Sequence, residues 1–133
     1  MILAALIQHL RANLSVTRIY AHQAPQDTEV PAIIIDQESV TRERIHSGTG
    51  AATALITTEF EIAVFATSLT DAVPLAGEIV TLLENQRVSM SDGFSPETIH
   101  RIADMRVETE LSGFDTGMER WSHSIFISIT SEQ

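Results

Sequence analysis

The chain has 133 residues, is 44% hydrophobic, and carries a formal charge of −10 in which every basic side chain is Arg. That length fits one domain, residues 1–133, with a real core, and the apolar share excludes general disorder. The acidic balance argues against sequence-independent DNA binding, and the absence of Cys removes disulfides, thiol nucleophiles and Cys-based metal sites.

Leu3, Leu6, Ile7, Leu10 and Leu14 recur at helical spacing, which predicts an amphipathic helix over 2–13. This apolar start lacks a basic flank, and His9 and Arg11 interrupt it, so neither a signal peptide nor a bilayer-spanning segment of about 20 residues is expected. The expectation is a soluble chain made in a cytoplasm. Arg18-Ile19-Tyr20 reads as a short strand, and 23–28 reads as a loop. Val30-Pro31 leads into a strand over Ala32–Val40, apolar at first (Ile33-Ile34-Ile35) and then polar. Residues 41–53 exceed the roughly 2–5 residues of a usual hairpin loop. They read either as a mobile tip or as an arm that orders against a partner, with Arg42, Arg44 and Ile45 as its contact residues. Gly48-Thr49-Gly50 is no phosphate loop, since it lacks the Lys-Ser/Thr ending and leads into a strand.

Ala54–Leu83 is the unit around which the rest is arranged. Ile56, Thr58, Phe60, Ile62 and Val64 alternate with Thr57, Glu59, Glu61, Ala63 and Phe65, so one strand presents a dry face and a face kept wet by two carboxylates. Ala72, Leu75, Ala76, Ile79, Val80, Leu82 and Leu83 then form the stripe of a helix that covers a sheet. Pro74 favours a helix start at Asp71 or Thr70; a Ser68–Asp71 capping box is the competing reading, with Pro74 as a kink. Residues 85–96 read as loop. Thr98–Leu111 reads as a strand with Ala103, Met105, Val107, Thr109 and Leu111 on one face and Asp104, Arg106, Glu108 and Glu110 on the other. Trp121–Thr130 reads as a nearly uncharged strand that closes the sheet. The fold class is α+β: a mainly antiparallel sheet, two helices packed on one face, and a long β-hairpin arm.

The search for chemistry yields no catalytic, cofactor-binding or metal residues. The five histidines show no metal spacing, His123 reads as a satisfied sheet histidine, and no Gly-X-Ser-X-Gly elbow is present. Glu59 with Glu61, and Glu108 with Glu110, are paired carboxylates. On adjacent strands they predict one solvated or inter-subunit face together with Arg106 and Arg101.

The order of these landmarks resembles the small tail-completion, or tail-terminator, proteins of long-tailed bacteriophages. The landmarks are the helix Ile2–Leu10, the strand opening Pro31-Ala32-Ile33-Ile34-Ile35, and an arm ending Ser47-Gly48. Phe60–Ala66 followed by the Ala72–Leu83 helix comes next, then an acidic strand leading through Asp115-Thr116-Gly117 and Arg120-Trp121 into the last strand. The resemblance spans nearly the whole chain. It implies a non-enzymatic virion protein at the head–tail interface, assembled in the host cytoplasm as a ring, commonly a hexamer. Such a ring caps the tail tube, ends its growth and joins the tail to the head connector, with DNA passing through unbound. Its partners would be further copies, the tube protein and the connector. Glu59, Glu61 and Glu108 with Arg42, Arg44 and Arg106 would supply the charges of a head-to-tail contact. Another connector or tube subunit, or a small ligand-binding α+β dimer unrelated to phage, are the alternatives.

Overall fold

The computed structural model describes residues 2–25, 28–46, 52–84, 86–117 and 119–132, with only the backbone described at 43–46 and 52–54. The elements run α1 (Ile2–Asn13), β1 (Ile19–Ala21), β2 (Ala32–His46), β3 (Ala52–Ala66), α2 (Leu69–Leu83), β4 (Ser89–Ser91), β5 (Ile99–Asp115) and β6 (Arg120–Glu132). The class is α+β. The six strands form one sheet in the order β1-β2-β3-β6-β5-β4. The β1–β2 pairing is parallel and the other four pairings are antiparallel.

Three expectations change here. The last strand does not close the sheet: β6 lies between β3 and β5. Its near-absence of charge suits a central strand, with Ile125, Ile127 and Ile129 buried on one side. The loop at 41–53 is mostly ladder, because β2 continues to His46 and pairs with β3 as far as Ala52. Its run Thr-Arg-Glu-Arg-Ile-His lacks apolar alternation, so pairing there leaves no hydrophobic signal. The loop at 85–96 contains β4, three residues long, whose Met90 is buried between polar neighbours.

The core lies on one face of the sheet. Leu3, Leu6 and Leu10 of α1 and Ala72, Ala76, Ile79 and Leu83 of α2 join Ile33, Phe60, Ile62, Val64, Met105, Ile125, Ile127 and Ile129 in one buried cluster. Helix α2 packs on β3, β6 and β5, whereas α1 touches both edge strands, β1 and β4. In a flat six-stranded sheet those edges would stand about 24 Å apart, roughly twice a helix diameter. The sheet therefore curls around α1.

At the start of α2 the competing reading holds. Ser68 is the N-cap and accepts a hydrogen bond from the Asp71 backbone N–H at 3.3 Å, while its own hydroxyl donates to the Asp71 carboxylate at 3.1 Å. Pro74 consequently sits inside the helix rather than in its first turn. The carbonyl of Thr70 loses its usual donor there, and both residues are exposed, where water can replace the bond.

The β4–β5 connection is organised by Asp92. Its Oδ1 accepts the backbone N–H groups of Phe94 (3.0 Å) and Thr98 (3.1 Å), and its own N–H donates to the Thr98 carbonyl at 3.1 Å. Those two N–H donors lower its pKa to about 2 from an ordinary 3.8. The folded value lies below the unfolded one, so this contribution is complete above about pH 4 and is lost as pH falls through about 2. Asp92→Asn should lower the melting temperature at neutral pH and flatten the stability profile between those limits. An unchanged acid profile would show that the carboxylate does not hold this turn.

Candidate assembly interface

The face opposite the helices is polar in its middle, and its composition follows from the ladder. Ser39, Glu59, Ser128 and Arg106 lie in one row across β2, β3, β6 and β5, and Thr41, Thr57, Thr130 and Asp104 lie in the next. Ser39 donates to Glu59 at 2.9 Å, Ser128 donates to Glu108 at 3.0 Å, and the Thr57 and Thr130 hydroxyls pair at 3.0 Å. Glu38, Glu59, Glu108 and Phe126 border a groove of about 320 Å³ on this surface. Further along β3, Ala63 and Phe65 on the same face are buried, so the wet region is confined to the centre.

The expected carboxylate face forms, but not from adjacent strands. With β6 between them, Glu59 and Glu108 are held by serines of β2 and β6 rather than by each other. Arg106 pairs with Asp104 of its own strand at 3.4 Å, not with Glu59, Glu61 or Glu108. Glu61 lies opposite Asp36 and Phe126. Arg42 is exposed, opposite Ile56, where β2 and β3 leave the core. The backbones of Arg44 and Ile45 pair with Ala54 and Thr53, while their side chains lie outside the described residues.

The expected faces of β5 also change. Ladder register shifts at Ala103 and Glu108 each insert one residue. Ile102 and Met105 are thereby both buried, and beyond Glu108 the faces exchange. Leu111 turns to the outer surface, opposite Ser124. Glu110 moves to the row of Ile125 and meets His123 Nε2 at 2.9 Å, while His123 Nδ1 lies 2.6 Å from the Ser112 hydroxyl. His123 is thus a satisfied sheet histidine tying β5 to β6. Among the described residues, no group of three or more His, Asp or Glu is placed to hold a metal.

Two edges of the sheet are open among the described residues. β1 covers β2 only at Ile33–Ile35, and β4 covers β5 only at Ile99–Arg101. Beyond Leu55, which lies opposite Glu132, the β2–β3 hairpin continues as a two-stranded ribbon through Arg44–His46 and Ala52–Ala54. Periodicity alone reveals neither feature, because both depend on which strands become neighbours. At the far end of the β5–β6 hairpin, Phe114 and Trp121 stack edge to face, centroids 5.3 Å apart, and remain exposed.

Comparison with known proteins agrees with this architecture. The family described as tail completion protein gp17 matches residues 4–121. No curated protein matches the chain. A chain from the virion of a native gene transfer agent (GTA) particle is similar in fold, with a TM-score of 0.62 at 14% identity, covering 98% of this chain and 93% of that one. With the match extending over most of its length, this chain belongs to the tail completion protein gp17 family of bacteriophage structural virion proteins.

Proposed function

We propose that the protein, acting throughout as one tail-terminator-like domain, assembles into a closed ring, a hexamer, at the head-proximal end of the tail tube. There it stops tube growth and joins the tail to the head connector. The observation that carries this reading is the β2–β3 ribbon that outruns the third strand of its sheet. Such a ribbon has little surface to bury by itself, and contact with another subunit supplies what the protomer lacks. Arg42, Arg44 and Ile45 on the ribbon meet the tube or a neighbouring copy, and Glu59, Glu61, Arg106 and Glu108 on the outer face supply complementary charge. Heterologous contacts of this kind close into rings where the rotation allows. The role is structural and not enzymatic. A formal charge of −10 repels phosphate, so DNA passes the ring without being held. Assembly takes place in the host cytoplasm before the tail meets the head.

The test is electron microscopy of particles made without the protein. Tails should be overlong or of scattered length, and heads should be unjoined. Tails of normal length on joined heads would refute the terminator role, and absence of tubes altogether would favour a tube subunit.

A further inference from the structure

We infer that neighbouring copies join edge to edge, the β2 edge of one protomer pairing antiparallel with the β5 edge of the next over a short seam centred on Val40 and Met105. This rests on the ring reading above and specifies which surfaces meet in it. Strand direction comes first. β2, β3, β6 and β5 are joined by three successive antiparallel pairings, so β2 and β5 run in opposite senses. Rotation about an axis along the strands preserves those senses and brings β2 of one copy against β5 of the next as an antiparallel pair.

The edge strands leave matching openings. Traced across the ladder, β1 lies level with Glu110–Ser112 of β5, whereas β4 lies level with β2 from Glu43 onward. At equal height the stretch open on both edges is therefore Asp36–Arg42 against Ile102–Thr109. Register shifts at Glu38 in β2 and at Ala103 and Glu108 in β5 shorten the straight part further. What remains is Ser39, Val40 and Thr41 facing Arg106, Met105 and Asp104. Bulges of this kind prevent uncontrolled pairing along a whole edge and leave one short segment competent.

Charge is compatible with the same register. At equal height Glu38 lies one step from Arg106, and Arg42 lies level with Ile102. Val40 adds an apolar reason. It is 44% exposed, yet it shares the core-side row of Thr58, Ile129 and Met105, which are buried. The next protomer would cover it.

The chain contains no Cys, so pairs can be introduced without background. Ser39→Cys combined with Arg106→Cys, and separately Thr41→Cys combined with Asp104→Cys, would be oxidised or treated with a short bis-maleimide under conditions where the parent forms its oligomer. Directly opposed residues have Cβ atoms about 5 Å apart, within reach of both reagents. Denaturing gels should show a covalent ladder up to the full ring for at least one double variant and only monomer for each single variant. Circular dichroism matching the parent establishes that the variants fold, and the two pairs guard against failure of either. Oligomers seen by light scattering without a ladder in either pair would overturn the seam while leaving the ring intact. Dimers from a single variant would overturn it in favour of a two-fold contact. Absence of any oligomer, alone or with tails, would overturn both readings.

Discussion

Replacing Phe60 by Ala should lower the unfolding free energy by about 3–5 kcal/mol, and Ile79→Ala should lower it by about 2–5 kcal/mol. Phe60 is 1% exposed on β3, and Ile79 is fully buried on α2. Both belong to the cluster that joins the helices to the sheet. Each truncation removes apolar area and leaves a cavity, because β3 is fixed by ladders on both sides and cannot collapse into the space. Ile79→Val, which removes one methylene, should cost only about 0.5–1.5 kcal/mol. Chemical denaturation measures these differences. A midpoint unchanged by Phe60→Ala would show that β3 presents its other face to the helices.

Shortening the ribbon should have the opposite profile, with a large effect on assembly and a small one on folding. Glu43 and Leu55 are opposed in the ladder, so residues 44–54 can be replaced by Asn-Gly as a two-residue turn. All β3–β6 pairs are retained, since the last is Leu55 with Glu132. Shorter loops cost less closure entropy, so the melting temperature should stay within a few degrees of the parent. Assembly should suffer if Arg44 and Ile45 are contacts, as the proposed function requires. Arg is suited to that role because its planar fork pairs bidentately with a carboxylate. Rings should be rare and tails should vary in length when this variant replaces the parent. Normal rings and tails would reduce the ribbon to a passive tip.

The parts of this fold that were legible in the sequence are those whose burial is periodic and local. The stripes of α1 and α2 and the alternations of β3 and β6 identify core residues such as Leu6, Ile79, Phe60 and Ile127, and the structure buries all four. The faces of β5 were not legible beyond Glu108, because an inserted residue exchanges them without a signature in composition. The neighbours of β6 were hidden for a different reason: strand order is set by long-range pairing, and nothing near Ile127 encodes that it contacts β3 as well as β5. The carboxylate face followed the same rule. The alternation of Glu59, Glu61 and Glu108 was visible, whereas the serine partners of Glu59 and Glu108, Ser39 and Ser128, emerge only once the strands are placed. Asp104 was visible as a strand residue but not as the partner of Arg106, since two residues apart on one strand is a contact that side-chain reach decides.

The central claim is that copies of this chain close into a ring, and the most direct measurement is the mass of the purified protein by light scattering across a range of concentrations, repeated in the presence of tails. One chain is 14.6 kDa. The account predicts a discrete species near six times that mass, in solution or released from tails, that does not grow further as concentration rises. A species that stays at the mass of one chain under both conditions, or that extends without limit, would contradict it.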